Sequence, residues 1–113
     1  MIVRIEALVR LPNLSRADFQ QHWRSRHAPL VLKHASALGI RRYTQIHAFA
    51  RESEGEPAFD GYAQVEFESL SAFEVMLTSA EGKAAAKAVY VDEREFIDRR
   101  RSLVVWGTEQ LVI

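Results

Sequence analysis

Four stretches of the chain alternate apolar and polar residues with a period of two, and two blocks between them repeat apolar residues every three to four positions. A period of two places alternate side chains on opposite faces of a strand, whereas a period near 3.6 places them on one side of a helix. The order strand, helix, strand, strand, helix, strand leaves few ways to bury 113 residues around one core.

The first strand runs from Val3 to Leu11, with Val3, Ile5, Ala7 and Val9 on one face. Pro12 and Asn13 end it, and Ser15 with Asp18 forms a capping-box-like start for a helix. Phe19, Trp23, Arg26, His27 and Leu30 share one side of that helix. Pro29 lacks an N–H and disfavours helical geometry at Ala28, so the expected kink or break falls just after His27. A second helical piece, from about Leu30 to Leu38, should end on Gly39 as its C′ residue. In the next strand, "IRRYTQIHAFA", Tyr43, Gln45, His47 and Phe49 share a side. The polar segment "RESEGEPAFDG" is a loop, Gly61 to Glu68 a third strand, and Ser71 with Glu74 the expected start of a helix through Phe73, Met76 and Leu77. An alanine-rich helix starts at Ser79, and "SLVVWGTEQLVI" is the last strand.

This βαββαβ order predicts a single α+β domain over residues 1–113 with a ferredoxin-like fold: a four-stranded antiparallel sheet with the helices on one face. The other face is bare, and a second copy presenting the same face would cover it, so a homodimer through the open sheet face is expected.

Composition narrows the function classes. Fifteen basic residues balance fifteen acidic ones, which gives no field to recruit nucleic acid or an anionic membrane. The absence of cysteine removes disulfides, thiolate nucleophiles and cysteine-bound metals. No histidine pair has the one-turn spacing of a helical zinc site, and neither a phosphate-binding glycine loop nor a dinucleotide fingerprint is present. The expectation is therefore a protein without metal or cofactor. "MIVRIEALVR" is interrupted by Arg4, Glu6 and Arg10, unlike a signal peptide, and no apolar run reaches the roughly 20 residues of a membrane span, which points to the cytoplasm.

His27 is the leading candidate for chemistry, because an imidazole beside a helix break can exchange protons near neutral pH; the plainer role is a hydrogen-bonded helix-end residue. His34 lies seven positions on, two turns along the same side. Tyr43 can donate a hydrogen bond to a carbonyl or enolate oxygen, or simply pack. Phe19, Trp23, His47 and Phe49 are the candidate lining of an apolar site for a small hydrophobic ligand. Asp92 reads as a helix cap, His22 as a surface residue, and Arg99 to Arg101 as a solvated face.

The pattern Phe19, Trp23, His27, Pro29 within "LVRLPNLSRADFQQHWRSRHAPLVLKH", together with "IRRYTQIH", "SAEGKA", "DEREFID" and "TEQLVI", resembles the EthD family of the dimeric α/β-barrel superfamily. The resemblance implies a dimeric barrel and a pocket histidine at His27. As in lactone-isomerising relatives, it also suggests His34 as a second pocket histidine. It further implies cofactor-independent isomerisation or dehydration of a small carbonyl, lactone or polyketide-like compound, by analogy rather than by geometry. Two other readings fit the same architecture: a non-catalytic homodimer that binds a ligand or serves a degradation pathway, and a cofactor-free oxygenase. Related barrels also bind haem, for which His27 or His34 would be the axial ligand.

Overall fold

The computed structural model describes residues 1–113. Its strands are β1 (Ile2–Leu8), β2 (Ile40–His47), β3 (Gly61–Phe67) and β4 (Leu103–Gly107). They form one antiparallel sheet in the order β2-β3-β1-β4, with the first and third strands central, as the ferredoxin-like arrangement requires. The helices are α1 (Arg16–His22), α2 (Ala28–Leu38), α3 (Leu70–Thr78) and α4 (Ala80–Glu93). No helix is long and apolar enough to cross a membrane.

Ser15 caps α1 through its Oγ, which accepts from the Asp18 amide at 3.0 Å. The expected break after His27 takes a different form. Trp23–His27 is a π-helical turn joining α1 to α2, with the Ala28 amide bonded to the Trp23 carbonyl. Pro29 then falls in the first turn of α2, where its missing N–H removes least. The widened turn absorbs the proline without ending the helical path, and such turns recur at functional sites. Gly39 closes α2 with φ 71°, a left-handed conformation that glycine adopts without a Cβ clash.

Two sequence expectations are corrected at helix and strand ends. Ser69, not Ser71, caps α3, its Oγ accepting from the Ala72 amide at 3.1 Å, so the helix starts two residues earlier. The last strand stops at Gly107, because only Leu103–Gly107 has β1 as a partner.

Register lines up the side chains that share a face. Glu6 pairs with Ala63 and Arg4 with Val65, and these side chains point to the helices; Ile5 and Gln64 point away. The polar positions of β1 are therefore the ones that enter the interior. A bulge between Ile40 and Arg42 turns both Ile40 and Tyr43 towards the helix layer, although they are three residues apart.

Apolar packing falls into two clusters. Leu8, Phe19, Trp23, Ala63, Phe96 and Ile97 form one; Leu38, Met76 and Ala85 form the other. Gly61 allows the closest approach: a Cβ there would lie 2.4 Å from Trp23 Cζ3 and 2.9 Å from the Ile46 carbonyl oxygen.

Candidate active site

A cavity of about 370 Å³ lies between the sheet and the helices, sharing walls with both apolar clusters. That is at the small end of the range of about 300–1,000 Å³ typical of ligand pockets. Its lining is mostly apolar, and the polar groups entering it are Arg4, Glu6, His27, Tyr43, Glu93 and Arg99.

The π-helical turn delivers His27, which is buried. Its Nδ1 lies 2.8 Å from Asp92 Oδ2, across from the end of α4. A carboxylate at that distance accepts the Nδ1 proton and leaves Nε2 as the ring's basic atom in the neutral tautomer. Nε2 sits on the side of Glu93, 3.8 Å from Oε2, beyond a hydrogen bond. Phe96 packs edge-on to the ring at 5.1 Å and limits its rotation.

Asp92 is shared. His22 Nε2 lies 3.0 Å from its Oδ1, and the His22 ring stacks on Phe96 at 4.4 Å. Neither residue matches its sequence reading, since Asp92 holds two imidazoles instead of capping a helix and His22 is largely covered. Burial pushes the Asp92 carboxyl up, but the hydrogen bonds from His27 and His22 and their charges outweigh it and hold the group below its ordinary value.

Arg99 corrects a further reading. It leaves the solvated face to bridge two carboxylates, with Nη1 2.9 Å from Glu6 Oε2 and Nη2 2.6 Å from Glu93 Oε1. Burial disfavours its charge, but Glu93 and Glu6 more than restore it, and the guanidinium titrates above its ordinary value.

Tyr43 faces this cluster from β2. Its Oη accepts from Gln45 Nε2 at 3.0 Å, and the same amide nitrogen donates to the Trp23 carbonyl at 3.0 Å. Gln45 Oε1 is held in turn by His47 Nε2 at 2.8 Å. With its oxygen already accepting, the phenol has its proton free to donate into the cavity. Burial, with the charges of Glu6 and Glu93, raises the Tyr43 pKa against the opposing hydrogen bonds from Gln45 and Trp23, so the group stays protonated at neutral pH.

Of the residues singled out from the sequence, Trp23, His27 and Tyr43 line the cavity together. Phe19 lies one layer back, fully buried against Trp23 and Phe96. His47 does not line the cavity but backs two residues that do, packing on Trp23 at 4.6 Å and holding Tyr43 through Gln45. His34 is half-buried on α2 and contributes no wall; beyond His27, α2 presents Val31 and Leu38 to the cavity instead. Phe49 is exposed, because β2 ends at His47 and the chain leaves the sheet before it.

Arg4, Glu6, Asp92, Glu93 and Arg99 carried no site assignment from sequence. The adjacent acids "DE" two positions before a second acid-aromatic pair were the only local signal, and strand polarity at Arg4 and Glu6 reads equally well as a solvent face. No group of three His, Asp or Glu side chains is arranged to hold a metal ion.

The fold and this cavity define a ferredoxin-like protein with a cluster of polar groups between its sheet and its helices. The EthD domain model matches residues 11–100, and the chain belongs to the EthD family. Among solved structures, an ethyl tert-butyl ether D (EthD) family protein of Bacillus halodurans is 24% identical, with 97% of this chain and 100% of that one covered at a TM-score of 0.67. SnoaB of Streptomyces nogalater, described as a cofactor-independent oxygenase, is 15% identical, covers 99% and 95%, and gives 0.57. A dimeric ferredoxin-like protein of unknown function from Thermobifida fusca is 12% identical, covers 96% and 90%, and also gives 0.57. At these identities the likeness concerns the fold. A search of curated proteins found no match.

Proposed function

We propose that this EthD protein is a small cofactor-independent enzyme that moves a proton on a hydrophobic carbonyl, lactone or polyketide-like compound, giving isomerisation or dehydration. The observation that carries this reading is the buried His27 ring, fixed through Nδ1 by Asp92 with Nε2 left on the cavity side near Glu93. Nε2 takes a proton from carbon beside the carbonyl and either returns it elsewhere on the same skeleton, giving isomerisation, or passes it to a β-hydroxyl as the C–O bond breaks and water leaves, giving dehydration. Tyr43 donates to the oxygen that gains charge, and the apolar walls, Trp23 among them with Phe19 behind it, lower the local polarity around the reacting atoms. His47 acts through Gln45 to position Tyr43. A pocket built only to hold an apolar ligand has no need of an aligned acceptor and donor.

The bare sheet face supports a homodimer. Ile5, Ile46, Leu103 and Val105 are exposed on it, and a second copy related by a two-fold axis buries all four at once. The neighbour from T. fusca is described as dimeric.

The test is solvent deuterium exchange. Small butenolides and β-keto lactones are incubated in D2O with the protein and followed by proton NMR. Exchange should be accelerated by the wild type, fall about 10²–10⁴-fold in His27→Gln, as for loss of a general base, and fall less in Tyr43→Phe. Binding of the same compounds without exchange would favour a ligand-binding or accessory protein, and oxygen consumption without exchange would favour an oxygenase.

A further inference from the structure

Among the charged groups at the cavity, Arg4 alone makes no ion pair within the chain. Arg99 is matched by Glu6 and Glu93, and Asp92 by His22 and His27. Arg4 is matched by nothing: it lines the same cavity, its Nε is buried without a hydrogen-bond partner, and no carboxylate pairs with it. Its guanidinium carbon lies 5.4 Å from the Phe67 and Trp106 ring centroids and 5.6 Å from that of Phe73. Three aromatic rings hold the cation by their π faces, but rings offer no acceptors for in-plane N–H groups. A guanidinium keeps its charge at any ordinary pH, and its unpaired N–H donors on the cavity wall are open to an acceptor carried by a ligand.

We propose that Arg4 is an anion subsite and that the ligand of this cavity carries a carboxylate on a small ring system. The planar fork of donors fits the two oxygens of a carboxylate, and the apolar walls fit the ring. Arg4 and Glu6 are neighbours on one face of β1, roughly 7 Å apart along the strand. The carboxylate at Arg4 therefore sits about one ring away from the Glu6, Arg99, Glu93 cluster beside His27. This rests on the proton-transfer reading only for which carbon reacts; the anion subsite stands on its own geometry.

The experiment compares 2-naphthoate with its neutral isostere 2-naphthamide by isothermal titration. The wild type should bind the acid at least tenfold more tightly than the amide. Arg4→Gln should abolish that preference, Arg4→Lys should keep part of it, and His27→Gln should leave it in place. In the wild type, the Arg4 Nε–H resonance, assigned by its loss in Arg4→Lys, should move with the acid and not with the amide, which gives a readout even when Arg4→Gln fails to fold. Equal affinity for the two compounds in the wild type, or an acid preference that survives in folded Arg4→Gln, would overturn the proposal. Loss of deuterium exchange in His27→Gln with acid preference intact separates the subsite from the chemistry, and absence of exchange in the wild type leaves the subsite result standing.

Discussion

His27 Nδ1 and Asp92 Oδ2 are 2.8 Å apart, and their separation of 65 positions in sequence makes this contact a product of the fold alone. Asp92→Asn keeps the shape of the side chain but replaces an obligate acceptor with a group that also presents N–H donors. The ring is then free to adopt the other tautomer, with its proton on Nε2. Deuterium exchange should fall about 10- to 100-fold, within the range seen for general-base catalysis, and the His27 nitrogen shifts in an NMR spectrum should report the tautomer change. Unchanged shifts and unchanged exchange would remove Asp92 from the mechanism.

Acid stability follows from two groups with opposite ordinary charges. The folded Asp92 carboxyl titrates below its ordinary value, because its histidine partners overcome the effect of burial, so the unfolded chain takes up this proton first. Its stabilisation is complete above about pH 4 and is lost as pH falls through the lower folded value. Burial, helped by the charge of Arg24, lowers the His47 pKa below its ordinary 6.5. The unfolded chain again binds the proton first, so stability begins to fall as pH drops below 6.5. Urea titrations from pH 7.5 to pH 3 should show both steps. His47→Gln should flatten the upper one and Asp92→Asn the lower.

Gly61→Ala tests the wall of the cavity. The new methyl meets the Trp23 ring at 2.4 Å and a backbone oxygen at 2.9 Å, so the indole must move. Overpacking of this kind costs about 1–3 kcal/mol. Urea unfolding followed by tryptophan fluorescence should show a lower midpoint, and because Trp23 lines the cavity, ligand affinity should change with it. A fully wild-type midpoint would mean that the strand and helix separate freely at this point.

The open sheet face gives a prediction about assembly. The wild type should sediment as a dimer at micromolar concentration, and the double variant Ile46→Asp, Val105→Asp should sediment as a folded monomer, since each two-fold contact then brings four carboxylates into an apolar interface. A monomeric wild type would mean that this face stays bare.

Local pattern determined the elements of this protein. Period two at β1, β2 and β3, the Ser15 and Ser79 caps and Gly39 at the end of α2 are decided by residues within a few positions of each other, and their order was enough to give the sheet topology. The motif Phe19, Trp23, His27, Pro29 likewise located the helical turn that carries the candidate base. Helix starts were less legible where two serines compete: Ser69 and Ser71 are both competent caps, and Ser69 makes the capping bond to Ala72.

The polar half of the site depended on tertiary structure. Arg4 and Glu6 look like the solvent side of a strand until the helices pack over that face, and Arg99 looks solvated until the end of the chain returns beside α4. The opposite error occurred at Phe49, whose place in an alternating run ended with the last ladder pair at His47. Alternation states that two sets of side chains lie on opposite faces. Which face is buried is settled by what packs against it, and charges join across 65 or 93 positions only when the chain has folded.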